Sequence, residues 1–401
     1  MLSVWGGAVA SKRRKSPLRA LLRLETVVVA IVIVLIVAVG AALRDSEAGS
    51  EPEGSPAPPV DIPADALDIE ATDAAADLPD GPVEGAVLLY GQGDPDFPDS
   101  AAADWTLVTE GGDHYRLPTE GGAALLSADG TRLAYQGPDG SVVLRNLADG
   151  TVQNVAVPAE PSSGLGHAWS HDGRWLLLDP WLIDTTNGQY RQLPNRTRLG
   201  EPPEDASEAS REQANVSEVT IAGILPDGNL VAVAPTYAED LVVMVGVMSP
   251  EQFPWGEYQA IDLTGVLEQW EGIYAIGSTA GTTAVLSSDG SSVAVTIYDN
   301  RHEGSGEPNP PAAAIVTINH STGEVISRYD LPENPNRLEP GSALNGRVCN
   351  YDEQGVEFVN GWPDADGNGD VHLYRLDPAT QDAQITIRLR VDRLSGFRVA
   401  C

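Results

Sequence analysis

Four side chains with oxygen ligands alternate along one short stretch of the sequence, at Asp364, Asp366, Asn368 and Asp370. The stretch reads Asp-Ala-Asp-Gly-Asn-Gly-Asp, and calcium prefers several carboxylate and amide oxygens around a sharp glycine turn. The last position of a helix–loop–helix calcium loop is a bidentate Glu, but here it is Arg375. Two interpretations stay open: a calcium site, and a hairpin loop rich in Gly, Asp and Asn, which the strand-like residues that follow favour.

Other residues with catalytic side chains lack the spacing that catalysis needs. His171 and Asp172 are an acid–base pair by type, but they fall inside a recurring turn, which favours a structural role. His302-Glu303 begins like a zinc motif without its second histidine, and Gly277–Gly281 has its serine in the wrong place for a nucleophile elbow. We therefore expect no enzyme activity and no cofactor, and assign no catalytic residue.

The recurring turn is the strongest pattern in the sequence. An apolar run, the phrase Ser-x-Asp-Gly and a second apolar strand follow one another several times. Asp-Gly between apolar runs predicts a tight hairpin, because Gly adopts positive φ without a Cβ clash. We call this phrase the tag; its copies are Ser127–Gly130, Ser170–Gly173, Leu225–Gly228 and Ser288–Gly290, with a degenerate copy at Asp352–Gly355.

A tag before a strand such as Leu133–Tyr135 resembles the blade signature of TolB-like propellers, which are relatives of WD-repeat proteins in bacterial envelopes. The resemblance covers residues 83–401 and implies an all-β propeller that binds partners through one face. Blades of roughly 40–50 residues predict a six-bladed β-propeller, and a seven-bladed one with an unrecognised blade is the alternative.

The end of the sequence offers a way to close the ring. Ser395–Cys401 is similar to Leu344–Cys349, which we interpret as the inner strand of the last blade. We expect the C-terminal segment to supply the inner strand that the first blade lacks, so that no long sheet edge stays free. Cys349 and Cys401 would then be neighbours, and we predict a disulfide between them; two buried free thiols are the alternative.

Composition divides the chain into a basic beginning and an acidic remainder. The sequence has 58 acidic and 24 basic residues, a net charge of −34. A net negative charge of this size repels the phosphate backbone and excludes nucleic acid as a partner.

An uncharged run, Thr26–Leu43, follows a basic segment at residues 1–25. Its length matches the hydrocarbon thickness of a bilayer, and the basic residues before it place the N-terminus in the cytoplasm. We predict a single-pass transmembrane helix with the rest of the chain outside the cell; a cleaved signal peptide is the alternative. Residues 44–82 are rich in Ala, Pro, Asp and Glu, which predicts a disordered linker.

These features favour a membrane-anchored, extracytoplasmic scaffold that binds an envelope protein, peptide or other ligand without catalysis. The alternative is a propeller enzyme, such as a metal-dependent hydrolase or lyase, whose His, Asp and Glu converge at the central channel from several inner strands. A ligand sensor is a third hypothesis, which needs a separate signalling partner because the cytoplasmic segment is short.

Overall fold

The computed structural model describes most of the chain from residue 62 onward. The described ranges are 62–72, 74–93, 103–119, 123–158, 167–194, 219–235, 242–254, 256–267, 274–275, 284–299, 312–331, 345–363, 368–392 and 397–400. The basic segment and the predicted transmembrane helix Thr26–Leu43 lie outside them. Within the described ranges no helix is long and apolar enough to cross a membrane.

The strands form six sheets, which we call blades 1 to 6. Two strands come before the blades, β1 (Leu67–Glu70) and β2 (Ala76–Asp77). Blade 1 continues with β3 (Ala86–Gly93), β4 (Ala103–Thr109) and β5 (His114–Arg116). Blade 2 contains β6 (Ala124–Leu126), β7 (Arg132–Gln136), β8 (Val142–Asn146) and β9 (Val152–Val155). Blade 3 contains β10 (His167–Trp169), β11 (Trp175–Leu178), β12 (Trp181–Asp184) and β13 (Gln189–Gln192).

The remaining blades repeat this meander. Blade 4 contains β14 (Thr220–Ile224), β15 (Leu230–Pro235), β16 (Val242–Met248) and β17 (Gln259–Asp262), followed by a short helix, α1 (Thr264–Leu267). In blade 5, β18 (Tyr274–Ala275) and β19 (Ala284–Leu286) both pair with β20 (Ser292–Asp299), and β21 (Ala312–Asn319) and β22 (Val325–Asp330) follow. Blade 6 contains β23 (Asn345–Asp352), β24 (Gly355–Pro363), β25 (Gly369–Asp377) and β26 (Asp382–Val391). The last strand is β27 (Phe397–Ala400).

Alternating side chains on each strand bury both faces of a blade. In β15, Val231 and Val233 pack against blade 5, whereas Leu230 and Ala232 pack against blade 3. Six buried clusters result, one at each junction between consecutive blades, and the last joins blade 6 back to blade 1. The prediction of a six-bladed propeller is therefore confirmed, and the seven-bladed alternative is wrong.

The ring closes through the C-terminal strand. β27 pairs antiparallel with β3, with Val399 opposite Tyr90, and takes the inner position in blade 1. Val399 is 2% exposed and belongs to the cluster between blades 6 and 1. The expected contribution of the C-terminal segment to blade 1 is confirmed.

Residues 62–83, which we call the belt, correct the predicted boundary of the linker. The belt is ordered over much of the stretch assigned to a disordered linker: β1 pairs parallel with β26, and β2 pairs parallel with β5. Its apolar side chains pack against three of the clusters in turn. Ile62 and Ala66 contact the cluster between blades 5 and 6, and Leu67, Ile69 and Ala71 contact the cluster between blades 6 and 1. Leu78 and Val83 contact the cluster between blades 1 and 2. The composition of residues 62–83 does not predict this order, because the belt is ordered by backbone pairing with the outer strands of blades 6 and 1.

Candidate functional site

A cavity of about 490 Å³ lies at the centre of the ring. It is lined by the inner strands of five blades, β6, β10, β14, β19 and β23. Three of these strands contribute small or apolar side chains, such as Leu125, Ala222 and Val285. The cavity therefore has the concave, mixed apolar and polar wall that is typical of ligand sites.

Three polar side chains of the cavity wall come from the inner strands of blades 3 and 6, which lie opposite each other in the ring. His167 and Trp169 belong to β10, and Arg347 belongs to β23. The Arg347 Nη1 donates to the backbone oxygen of Val399 at 3.2 Å, so the guanidinium spans the junction between blades 6 and 1.

His167 is held as a neutral hydrogen-bond donor. The backbone N–H of Asp179 donates to His167 Nδ1 at 3.2 Å, so the ring proton resides on Nε2. Burial lowers the pKa of His167, and the charge of Arg347 lowers it further against the opposing effect of Asp179. At neutral pH the channel wall therefore presents an imidazole N–H close to a permanent positive charge.

The tags form a ring of turns at one end of the channel. In the tag of blade 2, Ser127 Oγ donates to Asp129 Oδ1 at 2.6 Å, and the same oxygen accepts the N–H of Thr131 at 3.1 Å. Ser127 Oγ also accepts the N–H of Arg132 at 2.9 Å. Blade 5 repeats the geometry with Ser287, so its tag begins one residue earlier than the sequence suggested.

The pair His171-Asp172 belongs to this turn geometry. Asp172 Oδ1 accepts the hydroxyl of Ser170 at 2.7 Å and the N–H of Arg174 at 3.1 Å, while His171 is exposed. The carboxylate is therefore engaged in closing the hairpin, as the sequence analysis favoured.

Acid should weaken the tags. Hydrogen bonding from Ser287 is the largest of the effects that lower the pKa of Asp289. A carboxyl with a depressed pKa stabilises the fold above its unfolded-state pKa, and this contribution disappears as pH falls through the folded-state value. We expect Ser287→Ala to lower the free energy of unfolding by about 2 kcal/mol at pH 7, because it also leaves the buried N–H of Ser292 without a partner.

The part of this loss that depends on Asp289 should shrink as the pH falls through the folded-state pKa of Asp289, which lies below its ordinary value. Urea unfolding at pH 7 and pH 3 measures the difference. Ser141→Ala is the matched control, because its hydroxyl donates to Asp139 at 2.6 Å on an exposed hairpin. An equal loss in both variants, or a loss independent of pH, would contradict the expectation.

No protein-family model matches the chain, and no curated protein matches it. Solved structures show a weak likeness. An oligogalacturonate lyase from Vibrio parahaemolyticus has 12% identity and a TM-score of 0.35, over 71% of this chain and 87% of that chain. The acylaminoacyl peptidase of Pyrococcus horikoshii has 15% identity and a TM-score of 0.36, over 75% and 43%. The propeller domain of Cps50 (Swd1) from Myceliophteria thermophila has 12% identity and a TM-score of 0.32, over 67% and 72%. At this level none of these activities transfers to the chain.

The predicted calcium ligands are described only in part. Asp364 and Asp366 lie outside the described residues. Asp370 lies on β25, where its Oδ2 accepts hydrogen bonds from Arg388 at 2.6 and 2.9 Å. Among the described residues, no group of three or more His, Cys, Asp or Glu could hold a metal ion. The calcium site stays a prediction, and Arg388 already neutralises one of its four proposed ligands.

The predicted disulfide also stays a prediction, because Cys401 lies outside the described residues. Cys349 is half-buried against the cluster between blades 6 and 1, which contains Val399. β27 ends at Ala400, one residue before Cys401. The two segments are therefore neighbours, as the pairing requires.

His167, Trp169 and Arg347 are channel residues that spacing alone did not identify. The tag could have identified His167 and Trp169, because the residues just before Ser170 form an inner strand, which borders the channel.

Proposed function

We propose that the chain is a non-enzymatic binding module that holds a peptide segment in the central channel of its propeller. The observation that carries the proposal is the cavity of about 490 Å³, whose wall combines apolar inner strands with the N–H donors of His167 and Arg347. A neutral imidazole and a guanidinium both donate hydrogen bonds, and the guanidinium attracts carboxylates. The ligand chemistry that fits is an apolar peptide with an acidic side chain or a free carboxyl end.

The guanidinium of Arg347 places one positive charge on the channel wall of a strongly acidic protein. A net charge of −34 repels anionic ligands from the outer surface at long range. Within the channel the guanidinium of Arg347 acts at short distance and is screened less by solvent than a surface charge. We therefore expect an acidic peptide to bind more tightly in the channel than on the outer surface.

The test is selection from a library of synthetic peptides with free carboxyl ends, using the full chain in detergent micelles. We expect selected peptides to bind Arg347→Gln at least ten-fold more weakly than the unmodified protein. Arg191→Gln is the matched control, because this arginine lies on the outer strand β13 and pairs with Glu251 on the surface. Thermal unfolding of both variants checks that they are folded.

Failure to select any peptide, or equal binding by both variants, would refute the channel as the binding site. Conversion of a bound peptide into products would instead favour the enzyme hypothesis. That hypothesis needs carboxylates or histidines to converge at the channel. The cavity lining includes His167, Asp129 and Asp172, but both aspartates accept hydrogen bonds within their own turns.

We also propose that the propeller acts outside the cell, anchored to the membrane by Thr26–Leu43. The supporting observation is the uncharged run behind a basic segment and ahead of an acidic remainder. Protease added to intact cells should degrade the propeller domain of the full chain. Protection until the cells are opened would contradict this orientation.

A further inference from the structure

The blades are bridged at the tag end of the ring by the tags themselves. Between blades 1 and 2, the Ala86 N–H donates to the Gly130 oxygen at 2.9 Å. Between blades 3 and 4, Trp175 Nε1 donates to the Pro226 oxygen at 3.2 Å. Between blades 2 and 3, Arg132 Nη1 donates to the Asp172 oxygen at 3.3 Å. Between blades 5 and 6, the Ser288 N–H donates to the Tyr351 oxygen at 2.8 Å. Between blades 4 and 5, the Leu225 side chain lies close to Gly290.

The junction between blades 6 and 1 is built differently. In blades 2 to 6 the inner strand and the next strand are consecutive, and the tag joins them. In blade 1 these two strands are β27 and β3, which are not consecutive in the chain. Blade 1 therefore has no tag hairpin that could cross this junction.

The central cavity extends into the junction that lacks a tag. Its lining includes Leu67 of the belt, Val87 of blade 1, and Leu373, Thr386 and Ile387 of blade 6. We call this part of the cavity the seam cleft. Leu67 and Val87 are only half-buried against the cluster between blades 6 and 1, as expected for side chains that border open space.

The seam cleft is apolar inside and polar at its rim. Leu373 and Ile387 form one wall, at 8% and 7% exposure, and the belt closes the outer end. The rim carries an exposed Glu110 and the ion pair between Arg375 and Glu357. The cleft opens inward to the channel beside Cys349 and Arg347.

We propose that the seam cleft is a second part of the ligand site and takes an Asp-Gly turn flanked by apolar residues from a bound peptide. The reason is the repeat itself: five equivalent junctions of this ring are bridged at the same end by a turn of that chemistry. Such a turn supplies hydrogen-bond donors to its own carboxylate, as Ser127 and Thr131 do for Asp129, so the carboxylate keeps these partners when the turn binds at an apolar cleft. The inference rests on the proposed function of the channel and specifies the peptide that binds there.

The probe is a labelled synthetic peptide with the sequence of residues 125–134, which contains the tag of blade 2 and its flanking strands. Its binding to the full chain in micelles is measured by fluorescence anisotropy. Val87→Phe fills the cleft from blade 1, and Thr386→Phe fills it from blade 6. Val152→Phe is the matched control, on the outer strand β9 with 51% exposure.

We expect the peptide to bind the unmodified chain and Val152→Phe equally, and each filled variant at least ten-fold more weakly. A control peptide in which valine replaces the tag glycine should also bind at least ten-fold more weakly. Equal binding to the filled variants, or no binding of the tag peptide at millimolar concentration, would overturn the proposal.

The two proposals fail in distinguishable ways. If peptides selected for the channel lose affinity for Arg347→Gln but bind Val87→Phe normally, the channel function stands and the seam cleft is not part of the site. If Val87→Phe weakens the tag peptide while Arg347→Gln leaves the selected peptides unaffected, the cleft binds peptide and the channel does not.

Discussion

Deletion of residues 397–401 is expected to abolish the cooperative unfolding transition of the propeller. The deletion removes β27, which pairs with β3 at four positions, and takes the buried Val399 out of the cluster between blades 6 and 1. Backbone hydrogen bonds contribute about 1 kcal/mol each, and burial of a valine contributes about 1.5–3 kcal/mol. The summed loss approaches the whole stability of a typical domain, about 5–15 kcal/mol.

The deletion also removes Cys401, so its effect must be separated from that of the predicted disulfide. Cys401→Ser keeps the strand and removes only the thiol, and should retain a cooperative transition. Val399→Ala should cost about 2 kcal/mol, whereas Val152→Ala, at an exposed position on β9, should stay within about 0.5 kcal/mol. A full-size transition in the deletion variant, followed by circular dichroism in urea, would show that the ring does not need this strand.

The blade positions could be predicted because each tag is a local structure. Gly130, Gly173 and Gly290 adopt φ of 66°, 66° and 72°, and the aspartate that precedes each one accepts a backbone N–H two residues later. Both requirements are met within a few residues, so the sequence carries them directly. Ring closure was also accessible, because β27 is similar in sequence to β23, which occupies the equivalent inner position of another blade.

The belt could not be predicted in this way, because its order depends on partners distant in sequence. The Ala71 N–H donates to the Arg390 oxygen and the Leu78 N–H to the Arg116 oxygen. Arg145, which is buried, donates through Nη2 to the backbone oxygens of Pro79 and Gly81. These bonds use the backbone of the belt, and a backbone group leaves no signature in composition or periodicity.

The candidate site was hidden for a related reason. His167 and Arg347 both line the central cavity because they lie on inner strands, although blades 3 and 6 are far apart in the sequence. Their spacing in the sequence depends on the lengths of the intervening blades and loops rather than on the chemistry of the site. Spacing rules for catalytic or metal sites assume one local element, so they do not apply to a channel built from several inner strands.

Gly130→Ala is expected to destabilise the fold far more than Gly140→Ala, although both glycines have positive φ. Gly130 has φ of 66°, a region that costs an alanine about 1–2 kcal/mol. A Cβ built at this position would overlap the backbone oxygen of Ala86 in blade 1. Ala86 also donates its N–H to Gly130 at 2.9 Å, so relief of the overlap must break the bridge between blades 1 and 2. We expect a total loss of about 3–5 kcal/mol, similar to other overpacked sites with backbone shifts.

Two further glycines separate backbone strain from the overlap. Gly140 has φ of 80° and no atom within 4 Å of a built Cβ, so Gly140→Ala should cost only the strain, about 1 kcal/mol. At Gly173, with φ of 66°, the Cβ would meet the guanidinium of Arg132, a flexible group that can move away, so the loss should be intermediate. Urea unfolding of the three variants tests this order. Equal losses would mean that positive φ alone explains these glycines, and that the tags do not hold neighbouring blades together.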